Sequence, residues 1–260
     1  MTTRHKARAA FAVLFMLAGG AVAAIEADKP PSPDSRDRLD RVLKEWQRRS
    51  DERTSLDVRF VLRDRSPDCE DEVFTGRVVL LPGRRALVET KREGQDKAAR
   101  TQRLIWANDA FHQLLPERKE HIVWPIAADR QGRLPAALAL PFLWRVSPDA
   151  LKARYQVALV KEDPESWILS FAPLPKGGSP SFSKALLQLD RTTCLPRRYL
   201  LIGPDGRDTK DYRVTEVQSN RPIPEEVLRV PDDEGWRVIR QGDNKVTAWL
   251  NRLFKPDLLP

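Results

Sequence analysis

The chain has 260 residues, 41% of them hydrophobic and 32% charged, with 21 Pro and 12 Gly. This composition supports a buried core and excludes a wholly disordered, collagen-like or multi-span membrane protein. The formal net charge is +8, of which Arg4, Lys6 and Arg8 contribute three charges at the N-terminus, so the rest of the chain carries +5. Because those remaining cations are interspersed with acids, the charge pattern argues against nucleic-acid binding.

The N-terminal segment has the features of an export signal. A basic stretch over residues 1–8 precedes residues 9–24, which contain no polar side chain, and Ala21-Val22-Ala23 supplies a small-x-small cleavage pattern. The apolar run is shorter than the roughly 20 residues that span a bilayer as a helix. We therefore predict a cleaved Sec-type signal peptide over residues 1–23 and a periplasmic or secreted protein, with an uncleaved anchor as the alternative. Residues 24–33, rich in Pro, are predicted to form a flexible lead-in.

Few residues offer redox or metal chemistry. Cys69 and Cys194 are the only cysteines. In an exported protein they form either one disulfide or two unpaired thiols, and the sequence leaves both alternatives open. His112 and His121 are the only histidines after the signal, and they belong to no Cys/His cluster. We predict neither a metal site nor a cofactor.

Hydrophobic periodicity predicts a helix followed by strands. Over residues 34–50 apolar side chains recur with helical spacing and form one stripe. From Ser55 the period changes to two, which predicts a half-buried strand over residues 55–63. The helical stripe consists of Leu39, Val42, Leu43 and Trp46, and the apolar strand face of Leu56, Val58, Phe60 and Leu62. Further strands are predicted over residues 73–81, 85–91, 155–161, 167–172, 183–190, 197–202 and 211–217.

Residues 101–126 predict three short strands separated by two turns, one at Asn108-Asp109 and one over residues 115–118. Tight turns would place Trp106 opposite Phe111, and Phe111 opposite Ile122. The same register places His112 beside His121 on the other face, which we interpret as a surface pair. By alternation, large apolar side chains share one face, and we take them as candidate cavity residues: Leu104, Trp106, Phe111, Leu115, Ile122 and Trp124.

A helical insert follows this meander. Residues 134–144 and 147–155 are predicted to form two short helices, the second with Ser147 as N-cap and Pro148 at its first position. The insert is too apolar for a solvent-facing loop, so we predict a lid over about residues 134–154. Its candidate ligand-contacting residues are Leu138, Phe142, Leu143 and Trp144. A terminal helix is predicted over about residues 244–254, which completes one domain over residues 34–260.

Four common catalytic and cofactor-binding motifs do not occur in the chain. There is no G-x-S-x-G nucleophile elbow, no H-E-x-x-H, no phosphate-binding loop and no dinucleotide-binding fingerprint. We therefore predict no catalytic residue and a protein that is not an enzyme.

Several segments resemble the periplasmic lipoprotein carriers of the LolA/LolB-like group. Residues 103–125 are similar to the central hairpins of these carriers. Leu189-Asp190 with Leu195-Pro196-Arg197 resembles their acidic turn and Leu-Pro step, and residues 203–208 resemble their D-x-x-G turn. Residues 220–236 resemble the closing N-x-x-I…P…G segment. The chain resembles the divergent, planctomycete-type secreted relatives of these carriers.

The resemblance implies an α+β fold: a half-open, strongly curved antiparallel sheet, or incomplete barrel, with an N-terminal helix and a helical lid over its concave face. It implies an exported carrier or binder of lipoprotein acyl chains or other lipids in a hydrophobic cavity, with a role in outer membrane biogenesis. The alternative is an envelope sensor or structural interaction module that binds a protein with the same fold. A second alternative is that the apolar side chains simply fill the core. We expect a monomer whose partners are acyl chains, lipid or lipoprotein, and no nucleic acid.

Overall fold

The order of the described helices and strands along the chain largely follows the order that the periodicity predicts. The computed structural model describes residues 33–82, 85–93, 101–107, 110–125, 146–175, 182–232 and 234–241. Helix α1 spans Pro33–Asp51 and helix α2 spans Pro148–Arg154. The strands are β1 (Leu56–Arg65), β2 (Glu72–Leu81), β3 (Arg85–Glu93), β4 (Thr101–Ala107), β5 (Ala110–Leu115), β6 (Glu120–Pro125), β7 (Tyr155–Glu162), β8 (Ser166–Pro173), β9 (Lys184–Asp190), β10 (Pro196–Ile202), β11 (Thr209–Ser219) and β12 (Arg237–Arg240).

These strands form one sheet in the order β12-β6-β5-β4-β3-β2-β1-β11-β10-β9-β8-β7. Strands β1 to β6 make one antiparallel meander and β7 to β11 make a second, and the pairing of β1 with β11 joins the two. The end strands β12 and β7 do not pair with each other, so the sheet over the described residues is open. This confirms the predicted α+β class and the curved, half-open antiparallel sheet.

Strand β12 was not predicted. It pairs with β6 in parallel, from Arg237 opposite Glu120 to Arg240 opposite Val123. The backbone N–H of Arg237 also donates to the carbonyl of Lys119 at 2.7 Å. Two apolar residues flanked by exposed arginines give no strand signal by themselves, because a four-residue edge strand depends on the neighbour it joins.

Helix α1 lies on the sheet through its predicted stripe. Val42, Leu43 and Trp46 are buried against residues of β8 and β9, among them Leu169 and Leu187. Arg48 and Arg49 in the last turn complement the negative end of the helix dipole. Neither helix of the described residues has both the length and the apolar character required to cross a membrane.

Helix α2 begins as the sequence predicts. The hydroxyl of Ser147 accepts a hydrogen bond from the backbone N–H of Ala150 at 3.3 Å, and Pro148 occupies the first helical position. The first part of the predicted lid, including Leu138, Phe142, Leu143 and Trp144, lies outside the described residues. So do the predicted signal peptide, the lead-in up to residue 32 and the predicted terminal helix.

Apolar side chains pack on both faces of the sheet. The face that carries α1 also carries a second group of buried residues along β1 to β6, which we call the central cluster. The opposite face, here the outer face, carries Val79, Leu87, Ile105 and Leu114 beneath Leu228 and its neighbours. The central cluster consists of Leu56, Val58, Phe60, Leu62, Val78, Leu80, Ala86, Val88, Leu104, Trp106, Phe111, Trp124 and Leu195.

The turn between β9 and β10 is organised by Asp190. One carboxylate oxygen accepts hydrogen bonds from the backbone N–H groups of Thr192 and Thr193, at 3.0 and 2.7 Å, while the other pairs with Arg197 at 2.6 Å. Burial acts against ionisation, but the hydrogen bonds from Thr193 and Arg197 outweigh it and lower the pKa of Asp190. This is the acidic turn and Leu-Pro step on which part of the family resemblance rests.

In the structure both cysteines are free thiols. Cys69 lies in the turn after β1, and Cys194 lies just before the first residue of β10. The far end of β10, Ile202, pairs with Thr209, and Thr209 pairs with Arg65 close to Cys69. A strand of this length separates the thiols by about 20 Å, so no disulfide can join them.

The two thiols are therefore expected to react differently with iodoacetamide. Cys69 is exposed and Cys194 is buried, and burial raises the pKa of the Cys194 thiol to about 11. Because the thiolate is the nucleophile, the native protein should take up one adduct at Cys69 and the unfolded protein two. Intact mass and peptide mapping measure this. Absence of any adduct after unfolding without reductant would contradict the assignment.

Candidate ligand-binding face

The predicted apolar residues of the meander lie together on the face that bears the central cluster. Leu104, Trp106, Phe111 and Trp124 are buried in that cluster, and Ile122 is half-buried and packs against it. Leu115 lies on the same face by alternation and is half-buried at the end of β5, opposite Glu120. The six residues therefore share one continuous surface of β4, β5 and β6.

The register within this surface differs from the prediction in one pair. Trp106 does lie opposite Phe111, with ring centroids 5.4 Å apart, but the partner of Phe111 in β6 is Trp124 rather than Ile122. The second turn contains a 3-10 segment, Pro116–Arg118, followed by Lys119 with φ 48°. This turn is two residues longer than a tight one, so every pair shifts while each side chain keeps its face.

The surface continues beyond the predicted residues. In β1 to β3 it includes Phe60, Val78 and Val88, and in β11 it includes the half-buried Tyr212 and Val217. The alternation in β1 was visible in the sequence. What the sequence did not show is that β11 pairs with β1, because the two strands lie in opposite halves of the chain. Local periodicity contains no information about such a pairing.

The centre of this face, over the described residues, is almost free of charge. An ion pair lies at one end of β1, where Lys210 Nζ is 2.6 Å from Asp64 Oδ2 and both side chains are largely buried. Burial, and secondarily the carboxylate of Asp64, raises the pKa of Tyr212 well above its ordinary value. The phenol is therefore neutral at physiological pH. It offers an apolar ring and one polar hydroxyl to this face.

Two polar atoms interrupt the apolar surface. The indole Nε1 of Trp106 and the amide Oε1 of Gln113 are buried and have no hydrogen-bond partner among the described residues. Gln113 lies opposite Leu104 and next to Phe111 in the alternation, so both atoms belong to the face with the central cluster. Alternation with Phe111 is enough to put Gln113 on this face, but no sequence pattern indicates that its carbonyl lacks a partner.

The histidine pair is not a surface pair, and that interpretation was wrong. His112 Nδ1 and His121 Nε2 are 3.0 Å apart on the outer face, and His121 is only 3% exposed. The outer face is covered here because β12 pairs with β6 and residues around Leu228 pack on it. Over the described residues no group of three or more metal-ligating side chains occurs. The contact between His112 and His121 is a part-buried hydrogen bond on the outer face.

A cleft of about 700 Å³ also lies on the outer face. Its two arginines are already paired: Arg103 is 3.0 Å from Glu89, and Arg229 is 3.7 Å from Asp232. Within the described part of the chain, the cleft therefore offers no unpaired cation to an anionic ligand. Its lining residues are Arg103, Leu114, Pro116, Glu226, Arg229, Pro231, Asp232, Glu234 and Trp236.

Comparison with known proteins finds similarity in the fold alone. No protein-family model matches the chain, and no curated protein matches it. An uncharacterized conserved protein from Thermus thermophilus is 14% identical with a TM-score of 0.50, over 78% of this chain and 99% of that one.

Two further solved structures are similar at lower scores. A LolA superfamily protein from Nitrosomonas europaea is 13% identical with a TM-score of 0.38, over 74% of this chain and 97% of that one. The structure of the Pseudomonas aeruginosa MucA/MucB complex matches with 16% identity and a TM-score of 0.40, over 76% of this chain and 61% of that chain.

Proposed function

We propose that this protein is an exported, non-enzymatic carrier or binder of acyl chains, from lipoproteins or other lipids, which it holds on the face that bears the central cluster. Its place of action would be the periplasm or the exterior. The observation that carries the proposal is the extent of that face, which is apolar from β6 across to β11 with aromatic rings at both ends.

The energetics of acyl binding favour such a surface. Burial of each methylene contributes about 0.8 kcal/mol, so a chain of about ten methylenes supplies roughly 8 kcal/mol before the entropic cost of association. No charged group or metal is needed for this binding. Trp106 and Phe111, with ring centroids 5.4 Å apart, offer flat apolar surface of the kind that packs against a hydrocarbon chain.

The lid belongs to the same proposal. Leu138, Phe142, Leu143 and Trp144 would close over Trp106, Phe111 and Trp124 in the free protein, and an acyl chain would replace their contacts. A ligand shifts such an equilibrium only by its difference in affinity for the two states, so the open and closed states must differ by a few kcal/mol at most.

The proposal is tested by titration of the purified protein with an environment-sensitive acyl probe. Ile122 and Val123 are adjacent, half-buried residues of β6 on opposite faces, so they form a matched pair. Ile122→Glu places a charge on the proposed binding face and is expected to weaken probe binding at least tenfold. Val123→Glu places the same charge on the outer face and should leave the affinity nearly unchanged.

Two results would overturn the proposal. One is the absence of saturable binding to the wild-type protein together with no lipid in an organic extract analysed by mass spectrometry. The other is an equal effect of the two Glu variants. In either case the apolar side chains fill the core, and the fold serves instead as a module that binds an envelope protein.

A further inference from the structure

Two buried polar atoms stand without partners, among the described residues, in the otherwise apolar face. Trp106 is 3% exposed and Gln113 is 6% exposed, and the atoms concerned are the indole Nε1 and the amide Oε1. Buried polar groups in proteins are nearly always hydrogen-bonded, so each exception calls for an explanation. One atom is a donor and the other an acceptor.

The two atoms belong to neighbouring positions on the same surface. Trp106 pairs with Phe111 across β4 and β5, and Gln113 pairs with Leu104 two residues further along. Trp106 and Gln113 are therefore diagonal neighbours on one face, about 7–8 Å apart at the backbone. One small polar group can bridge side chains at this separation, with a hydrogen bond of about 2.9 Å at each end.

Gln113 is a polar residue between apolar neighbours, so its presence needs an explanation other than packing. Leu104 lies opposite it in β4 and Ile122 lies opposite it in β6. A Leu or Met of similar volume would fit these neighbours without burying an unpaired carbonyl. An unpaired acceptor destabilises the free protein, and a ligand that donates a hydrogen bond to it removes that penalty.

We propose that Trp106 and Gln113 form a polar subsite that recognises a secondary amide attached to an acyl chain. The inference rests on the proposed function, because it assumes that an acyl chain occupies this face. The ligand's carbonyl oxygen accepts from the indole N–H of Trp106, and its N–H donates to the carbonyl of Gln113. An ester offers the same carbonyl but no donor, so it leaves the Gln113 oxygen unpaired. The ligand class is therefore N-acylated amines, including N-acylated peptides, in preference to acyl esters.

The test compares two probes that differ in one linking group, N-methyl decanamide and methyl decanoate, in equilibrium titrations with the full-length protein. The wild type should bind the amide at least tenfold more tightly than the ester, since a site that hydrogen-bonds a donor rejects the analogue that lacks it. Tenfold corresponds to about 1.4 kcal/mol. Gln113→Leu should abolish most of this preference, while its affinity for the ester changes less than threefold. Trp106→Phe removes the donor that both carbonyls use, so it should weaken the binding of both probes and leave the preference in place.

A second readout separates recognition from a structural role. Gln113→Leu should raise the melting temperature of the free protein, because it removes a buried unpaired acceptor, even as it lowers amide selectivity. Gln188→Leu is the control: this side chain already bonds Ser166 Oγ at 3.1 Å, so the variant should keep the wild-type selectivity. Trp106→Phe retains a ring and gives an independent test should Gln113→Leu fail to fold.

The outcomes distinguish the amide subsite from the carrier function. Equal affinity of the wild type for amide and ester would overturn the subsite and leave the carrier intact, with water satisfying the two atoms. Binding of neither probe would overturn the subsite and the carrier together. An unchanged preference in Gln113→Leu would also overturn the subsite, as would an unchanged affinity of Trp106→Phe for both probes.

Discussion

Replacement of Trp46 by Ala is expected to lower the free energy of unfolding by about 3–5 kcal/mol. Trp46 is completely buried, and it belongs to the same buried cluster as Leu169, Leu187 and Leu189 of β8 and β9. Removal of the indole would leave a large cavity in that cluster. Chemical denaturation monitored by circular dichroism measures the change.

Two variants control for this prediction. Trp46→Phe keeps an aromatic ring and removes an indole N–H that has no hydrogen-bond partner within the described ranges, so it should destabilise the protein much less than Ala. Lys44→Ala alters an exposed position of the same helix and should change stability by less than about 0.5 kcal/mol. Point mutants lose about 1 kcal/mol of unfolding free energy on average. If Trp46→Ala loses less than this, the packing of α1 does not depend on Trp46.

Replacement of Gly76 by Val is expected to destabilise the fold by about 3 kcal/mol, at the upper end of the range for overpacking. Gly76 in β2 lies opposite Phe60 in β1, and a Cβ at this position would overlap the Phe60 ring. The ring has little room to move, because it is 7% exposed and packs against Tyr212 with centroids 5.5 Å apart.

A double variant tests this mechanism directly. Phe60→Leu shortens the side chain that would collide, so Phe60→Leu with Gly76→Val should be more stable than Gly76→Val alone. The coupling energy from the double-mutant cycle should exceed about 1 kcal/mol, since the two residues are in contact. Additive effects would indicate that the glycine is required for another reason.

The elements that the sequence predicts well are those whose pattern is local. The stripe of α1 and the alternation of β1 follow from the positions of Leu43, Trp46, Val58 and Phe60, because each element buries one face. Ser147 and Pro148 predict the start of α2 because the cap and the restricted φ act within one turn. The predicted bounds of these elements lie close to the observed ones.

The features that the sequence does not predict depend on contacts between distant segments. The burial of His121 requires β12, the last of the described strands. This strand can pair with β6 only after the segments between them have folded. The shift of Phe111 from Ile122 to Trp124 requires the left-handed conformation of Lys119, a residue type with no strong preference for it. For the candidate binding face, alternation identifies the contribution of β4 to β6, whereas Tyr212 and Val217 enter only through the pairing of β11 with β1.

That pairing has a consequence for how the chain folds. Within each meander every strand pairs with a sequence neighbour, but the contact of Phe60 with Val214 joins the first strand of the chain to the last strand of the second meander. Closure of such a long segment carries a large entropic cost, so the two meanders are expected to form first and the β1–β11 contact to limit the folding rate. Until β11 has been synthesised, β1 presents an unpaired edge with buried-type side chains such as Val58 and Leu62, and this is the edge through which incomplete chains would aggregate.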